Sequence, residues 1–271
     1  MIRIRFPRAI AKNIEITKQL TTRDIGAKYK GSKLGMIWTV LNPLIMLSVY
    51  TVVFSEIFQA KWGEALVDGE TNKLVFALNL FCGLTVFNIF SESIGRSATL
   101  IVNNPNFVKK IRFPLHTLGT MTIMSAIYNA INSLAIISIT LLITKGQIHA
   151  TFLLIPVIWL PLSLYCMGLT WILSIIGVYI KDVNQILSAL ISCMMFLSPI
   201  FYPASALPLG LQWVVQINPI ATTIEHTRQV ILIGESPEMG ELIIPAILSM
   251  LWCEMCYRIL EYTQRDLSDM L

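Results

Sequence analysis

The chain has 271 residues, of which 55% are hydrophobic and only 13% are charged, and its formal net charge is +4. A soluble domain of this length would need far more charge to cover its surface. The apolar residues form blocks that are too long for core helices, which indicates an all-α protein that crosses a membrane several times. The basic residues cluster beside these blocks, so they indicate membrane orientation, and no nucleic-acid partner is expected.

The first 36 residues form a basic segment that we expect to stay in the cytoplasm, because no short apolar run resembling a signal peptide follows Met1. In residues 8–20, four apolar side chains share one arc at 100° per residue, and charged or polar side chains occupy the opposite arc. The apolar members are Ile10, Ile14, Ile16 and Leu20. This pattern predicts an amphipathic helix that lies flat at the cytoplasmic interface.

A helix needs about 20 mostly apolar residues to cross a hydrocarbon core of roughly 30 Å. Six stretches meet this requirement and define a predicted transmembrane domain over residues 37–271: 37–58, 74–95, 115–143, 151–180, 184–202 and 242–260. In this arrangement sixteen Lys and Arg residues lie on the side of the amino terminus and four on the other. The imbalance predicts that both termini are cytoplasmic.

Residues 203–240 are too apolar for a freely solvated loop, yet proline and glycine interrupt them too often for a simple span. Two short helices that join at Asn218-Pro219 explain both properties. We expect them to be re-entrant, dipping into the outer leaflet or capping a cavity. Two additional spans are the alternative.

The chain offers little material for catalysis or metal binding. Its five cysteines lie in apolar blocks, and Cys253-x-x-Cys256 lacks a second pair or a nearby histidine, which favours a packing role. The histidines, His116, His149 and His226, are scattered, and no paired acids appear. These features argue against a membrane-embedded glycosyltransferase or lipid phosphatase, so no catalytic residue and no metal site is predicted.

A family resemblance begins at residue 23, where the chain reads RDIGAKYKGSKLGMIWTVLNPLIMLSVYTVVFSE. This stretch closely resembles the start of the permease subunits of type-2 ATP-binding-cassette exporters for O-antigen, capsule and teichoic-acid polymers. The likeness continues in order through FVKK and FP in 107–114, KDV in 181–183, LSPIFYP in 197–203, and Asn218-Pro219 followed by Arg228. The family usually has arginine where this chain has Lys181. The segments RDIGAKYKGSKLG and LNPL resemble the O-antigen permeases more than the capsule permeases. Capsular polysaccharide and teichoic acid remain alternative cargoes.

The resemblance implies six spans per subunit, a homodimer, and two copies of a separate ATPase subunit beneath it. The cargo would be a lipid-linked polysaccharide that crosses the bacterial inner membrane. The segment GAKYKGSK at 26–33 lacks the Lys-Ser or Lys-Thr ending of a phosphate loop and leads into a span. We therefore expect that this chain binds no cofactor itself, and that ATP and Mg act through the partner. A passive channel or scaffold would need no such partner and is the remaining rival.

Contact with the ATPase is expected in two basic cytoplasmic segments, as the resemblance implies. The candidates before the first span are Arg23, Asp24, Tyr29 and Lys30, and those in the loop 96–114 are Asn106, Phe107, Lys109, Lys110 and Arg112. A short helix at about 103–111 is expected to seat on the ATPase. The alternative is that these basic residues only set orientation or touch anionic lipid.

A path for a polymer needs surfaces that tolerate many sugar units, and aromatic faces pack on sugar rings without fixing a register. The candidates are Trp38, Tyr50, Phe54, Phe201 and Tyr202. Each of them can instead face lipid or pack in the bundle. Asparagines within the spans mark either bundle contacts or the conduit: Asn42, Asn79, Asn88, Asn129 and Asn132. Glu254 and Arg258, four residues apart on the last span, are predicted to pair.

Overall fold

The computed structural model describes residues 4–53, 69–108, 113–208, 210 and 212–267, and the regular structure in these ranges is helical. The α-helices are α1 (Phe6–Lys12), α2 (Ile14–Lys28), α3 (Trp38–Val52), α4 (Gly69–Gly95), α5 (Pro105–Val108), α6 (His116–Lys145), α7 (Ile155–Tyr179), α8 (Val183–Leu197), α9 (Gln212–Ile217), α10 (Pro219–Arg228) and α11 (Met239–Leu267). Short 3-10 turns precede α3 and α7, and a π-helical turn, Gln229–Ile233, follows α10.

Five helical stretches are long and apolar enough to cross a membrane: Gly35–Val52, Val75–Gly95, His116–Thr144, Ala150–Tyr179 and Met239–Gln264. They correspond to the first, second, third, fourth and sixth predicted spans. The predicted span 184–202 contains α8, an apolar helix of 15 residues. It is shorter than expected because Ser198, before Pro199, has extended backbone, and the residue before a proline disfavours helical geometry.

The bundle is built around α4. Its apolar stretch Val75–Gly95 is 78% buried, whereas only 6% of Gly35–Val52 at α3 is buried. Two glycines allow tryptophans to pack closely between helices, because an added Cβ would lie 2.5 Å from Trp171 at Gly119 and 2.7 Å from Trp252 at Gly168. Small residues at such crossings are typical of helix packing in membranes. α3 is thus left at the edge of the subunit.

The amino-terminal segment is helical, but it breaks at Asn13 into α1 and α2. Ile14 and Ile16 are exposed, whereas Leu20 on the same predicted arc is buried. The start of α1 is fixed to α11, since the backbone N–H groups of Arg5 and Phe6 donate to the Glu254 carboxylate at 2.8 and 3.0 Å. Location of this segment at the membrane interface stays a prediction.

Glu254 also accepts a hydrogen bond of 2.7 Å from Nε of Arg258, which confirms the predicted i, i+4 pair on the last apolar helix. The same carboxylate therefore serves the side chain of Arg258 and the first turn of α1. Four backbone N–H groups at a helix start lack intrahelical partners, and this acceptor satisfies two at the beginning of α1.

Residues 203–240 contain two short helices that meet at Asn218, as predicted. Asn218 starts α10, because its Oδ1 accepts from the Ile220 N–H at 2.9 Å and Pro219 occupies the first helical position. The end of the segment is fixed against α7 and the 3-10 turn before it. Trp159 on α7 donates to Thr227, and Thr151 in the turn donates to the Val230 carbonyl. Gly234 ends the π-helical turn with φ of +88°, a geometry that favours glycine.

The Arg228 guanidinium is 3% exposed and connects three elements. It donates to the carbonyl oxygens of Asn79 on α4 and of Pro199 and Ile200 after α8, at 2.7–3.0 Å, and pairs with Glu225 at 3.0 Å. The charge count assigned Arg228 to the outer side, and that assignment stays a prediction. Its burial shows that the side chain is a contact within the bundle.

Candidate functional site

A groove with a volume of about 320 Å³ lies between α3, α4 and α6, and we call it the polar groove. Its aromatic and polar lining includes Trp38, Asn42, Tyr50, Asn88, Glu92 and Asn129. Amides and carboxylates bind hydroxyl groups, and aromatic rings pack on apolar faces. Sugar rings present both kinds of surface, so the chemistry of the polar groove suits a carbohydrate.

Glu92 is the charged centre of the polar groove. Both of its carboxylate oxygens lie 2.9 Å from Nδ2 of Asn129, and Nζ of Lys28 lies 3.2 Å from Oε2. The Glu92 side chain is one-third exposed, so it remains accessible from the groove. Sequence reasoning missed Glu92, although an acid within an otherwise uncharged apolar stretch is itself a signal of a functional or paired position.

Two of the described conduit candidates line the polar groove, and two lie in the turn that follows α8. Trp38 and Tyr50 line the groove, and the Tyr50 ring lies 6.4 Å from the ring of Phe201. Tyr202 points instead to the end of α8, where its hydroxyl donates to the Phe196 carbonyl at 2.9 Å. Phe54 lies outside the described residues.

The asparagines within the spans lie in two different environments, the polar groove and the interior of the bundle. Asn42, Asn88 and Asn129 line the polar groove. Asn79 makes a bundle contact, because its carbonyl accepts from Arg228 and its side chain donates to the Val75 carbonyl. A bundle contact is thus shown for Asn79, whereas a conduit role for the three asparagines of the polar groove stays a prediction.

A second cluster joins α2 to the segment that follows α4, and we call it the ion-pair cluster. Asp24 and Arg96 form a bidentate pair with distances of 2.9 and 3.0 Å. Burial of Asp24 opposes its ionised form, but the hydrogen bonds and charge of Arg96 outweigh this effect and hold the pKa of the carboxyl below its usual range. The pair therefore stays charged at neutral pH.

Aromatic packing extends the ion-pair cluster toward α5. The guanidinium of Arg23 lies 5.7 Å from the centre of the Phe107 ring, and Phe107 stacks on Phe113 at 4.4 Å. A cavity of about 340 Å³ lies beside these residues. Three predicted coupling residues, Arg23, Asp24 and Phe107, are thus brought together by the fold.

The remaining predicted coupling residues lie elsewhere. Tyr29 lines the polar groove, while Lys30 and Asn106 are exposed. Lys109, Lys110 and Arg112 lie outside the described residues. The helix expected at about 103–111 is present in the described part of this loop as α5, Pro105–Val108. Sequence reasoning assigned Arg96 only to a basic loop and missed its bond to Asp24.

Among the described residues, no group of three or more His, Cys, Asp or Glu side chains could hold a metal ion. Cys82, Cys166, Cys253 and Cys256 are buried free thiols, and Cys193 is exposed. Burial of the first four agrees with the packing role expected for cysteines in apolar blocks.

Comparison with known proteins gives one family and a consistent group of relatives. The family model described as ABC-2 type transporter matches residues 15–232. The chain is 26% identical to an O-antigen export system permease protein RfbA from Myxococcus xanthus, over 92% of this chain and 93% of that protein. It is 24% identical to a protein of the same name from Klebsiella pneumoniae, over 79% of each chain. It is also 23% identical to the polysialic acid transport protein KpsM of Escherichia coli, over 79% of this chain and 80% of that protein.

The bidentate geometry of Asp24 and Arg96 predicts strong energetic coupling between the two side chains. Replacing either by Ala leaves a partly buried charge without its partner, so each single variant should lose more stability than the pair contributes. In a double-mutant cycle measured by unfolding in mild detergent, we expect a coupling energy of about 1–2 kcal/mol.

Arg5 and Glu261 provide the matched control, because this pair is 3.5 Å apart with side chains 62% and 51% exposed. Its coupling energy should be below about 0.5 kcal/mol, as is usual for exposed pairs. Equal coupling energies in the two cycles would contradict a structural role for the ion-pair cluster.

Proposed function

Since the chain belongs to the ABC-2 type transporter family, we propose that it is the permease subunit of an exporter that moves lipid-linked O-antigen across a bacterial inner membrane. The observation that carries this proposal is the likeness to an O-antigen export permease over 92% of the chain. The polar groove supports it, because it combines aromatic faces with amide and carboxylate groups at the edge of the subunit. Export of a capsular polymer is the second candidate, favoured by the similarity to KpsM.

In the proposed assembly, two copies of this chain form the membrane domain, and two copies of a separate ATPase supply energy from ATP and Mg. Each subunit would cross the membrane six times, with α8 and the turn 198–203 completing the fifth span. A 15-residue helix covers about 22 Å, which leaves only a short distance for the turn. The exposed surfaces of α3 and α8 are available for the second copy.

The proposed path for the polymer runs along the polar groove and continues past the aromatic cluster at its outer end. Trp38 and Tyr50 would contact sugar rings in the groove, with Glu92 and Asn129 as hydroxyl acceptors and donors. Phe201 and Tyr202, together with Phe54, would line the outer end. The contact between Tyr50 and Phe201 supports a continuous aromatic surface along this route.

The proposed coupling route begins at the ATPase and enters through α5 and the basic residues 109–112. Phe107 touches Arg23, and the neighbouring Asp24 is bonded to Arg96 at the end of α4. A displacement of α5 by the ATPase would thus be transmitted to both α2 and α4. Glu92 of the polar groove lies on α4, one turn before Arg96. Asn106, Lys109, Lys110 and Arg112 are the proposed contacts with the ATPase, with Tyr29 and Lys30 beside them.

The proposed orientation places both termini in the cytoplasm and residues 203–240 on the outer side. The α1–α2 segment would lie at the inner interface, and α9 and α10 would be re-entrant. Contacts of α10 support this placement, because Thr227 bonds Trp159 near the start of α7, and Pro219 borders the same cavity as Tyr165, six residues further along that helix. α10 therefore runs beside the first half of α7.

Deletion of the gene from a strain that makes O-antigen tests the proposed function. We expect surface O-antigen to disappear while the lipid-linked polymer accumulates inside the cell, because synthesis continues without export. Immunoblotting of whole cells and of inner-membrane extracts measures the two pools. Loss of the polymer from both pools would indicate an enzyme of synthesis and would contradict an export role.

Variants of the polar groove test the proposed path in the deletion strain. Trp38→Ala with Tyr50→Ala should lower surface O-antigen severalfold with normal membrane insertion, since both substitutions remove an aromatic face on which a sugar ring can pack. Ile139→Ala with Ile143→Ala on the exposed face of α6 is the matched control, because these residues line neither the polar groove nor the surface proposed for the second copy. Similar export by both double variants would exclude the groove from the path.

Cysteine labelling tests the orientation. In a background without the five native cysteines, Ser236→Cys should react with an impermeant thiol reagent added to intact cells, and Asn106→Cys should react only after the cells are opened. Both positions are exposed in the subunit. Because residue 106 is a proposed contact with the ATPase, the chain is expressed without that partner, and access is then decided by the membrane side. Labelling of residue 106 in intact cells would reverse the proposed topology.

A further inference from the structure

A cavity of about 500 Å³ opens between α7, α10 and α11, away from the polar groove and the ion-pair cluster. Its walls are mainly apolar, with Ile158 and Pro161 from α7, Ile217 at the end of α9, and Leu242, Pro245 and Leu248 from α11. We call it the outer-leaflet groove, since the proposed orientation places the first halves of α7 and α11 in that leaflet.

The outer-leaflet groove has a polar mouth and an apolar floor. At the mouth, Nε2 of His226 on α10 lies 3.2 Å from Oε2 of Glu241 at the beginning of α11. At the floor, Trp252 donates its indole N–H to the Tyr165 carbonyl at 3.3 Å, and the two rings lie 6.0 Å apart. This contact closes the gap between α7 and α11 below the cavity.

The depth of the groove corresponds to one leaflet. Eleven residues separate Glu241 at the mouth from Trp252 at the floor, so the distance along α11 is about 16 Å at 1.5 Å per residue. This is about half of a hydrocarbon core of roughly 30 Å. A chain that entered at the level of the headgroups would therefore end near the middle of the bilayer.

The charge at the mouth restricts the headgroup. The Glu241 side chain is 56% exposed, and Glu235 and Glu238 in the preceding loop are exposed as well. His226 is the nearby basic side chain on α10, and it already contacts Glu241. This acidic mouth repels a headgroup with net negative charge and attracts an ammonium group.

We propose that the outer-leaflet groove binds one acyl chain of a phosphatidylethanolamine molecule, with the ammonium group of the lipid near Glu241. The lipid fills the space that α10 leaves beside α11 and so holds the re-entrant segment against the bundle. The proposal rests on the orientation of the chain and is independent of the polysaccharide that is exported.

Native mass spectrometry of the full-length purified chain tests the proposal. Protein freed of lipid is incubated with phosphatidylethanolamine or phosphatidylglycerol that carry the same acyl chains, and bound lipids are counted per subunit. We expect one retained phosphatidylethanolamine and weaker retention of phosphatidylglycerol. Glu241→Gln should reduce the preference about fivefold, the factor expected for loss of one exposed charge pair.

Leu248→Trp fills the groove and should abolish retention of this lipid. Ile247→Trp is the matched control, because Ile247 is 54% exposed on the same helix and does not line the cavity. This variant should retain as much phosphatidylethanolamine as the unmodified chain. Equal retention of both lipids, equal loss in both tryptophan variants, no retained lipid, or preference for an added polyprenyl diphosphate would each overturn the proposal. Cysteine labelling at residue 236 checks the orientation separately from lipid binding.

Discussion

The packing of α10 and of the turn after α8 against α4 depends on the burial of one guanidinium. Arg228 is surrounded by apolar helices, and a charged group in such a position is costly unless its donors are satisfied. Acceptors from three separate elements take its hydrogen bonds: the carbonyl oxygens of Asn79, Pro199 and Ile200, and the Glu225 carboxylate. A lysine would offer one ammonium centre in place of the planar fork that reaches these acceptors. Gly83 completes the arrangement, since an added Cβ would lie 2.9 Å from Nη2 of Arg228.

This constraint connects the fold to the proposed function. The bonds of Arg228 hold the turn after α8 and the helix α10 against α4, and that turn carries Phe201 beside Tyr50 at the end of the polar groove. At the opposite end of α4, Arg96 is bonded to Asp24, with Glu92 one turn away inside the groove. One helix thus contacts the buried Arg228, carries the charged centre of the polar groove, and ends beside the ion pair of Asp24 and Arg96. Movement imposed through α5 would act on a rigid element that reaches the whole length of the proposed path.

Much of the architecture could be predicted because apolar length and proline positions are local properties of the sequence. Five of the six predicted spans correspond to long apolar helices, and the break at Asn218-Pro219 was correctly placed. In the fifth predicted span the helix α8 ends at Leu197, because Ser198 precedes a proline and leaves helical geometry. Apolar length alone did not show this end, although Pro199 is a local signal for it. The arc of Ile10, Ile14, Ile16 and Leu20 assumed one continuous helix, whereas Asn13 divides it.

The site was less predictable because its interactions join residues far apart in the chain. The bond between Asp24 and Arg96 spans 72 residues and that between Arg228 and Asn79 spans 149, and no spacing rule shows such pairs. Trp38 and Tyr50 were selected as aromatic residues of the first span, and the structure places both in one groove. Glu92 was identifiable in principle as an acid within an apolar stretch, but its partners Lys28 and Asn129 come from two other helices.

The central claim is that this chain provides the membrane path for a polymer whose export is driven by ATP hydrolysis in a partner. Reconstitution of the purified permease with its ATPase subunit in liposomes that contain fluorescent lipid-linked O-antigen tests this claim most directly. With complexes oriented inside-out, ATP added outside the liposomes should move the glycan into the lumen, where a membrane-impermeant glycosidase no longer reaches it. Protection of the glycan without ATP, or its continued digestion while ATP is hydrolysed at the full rate, would contradict the account.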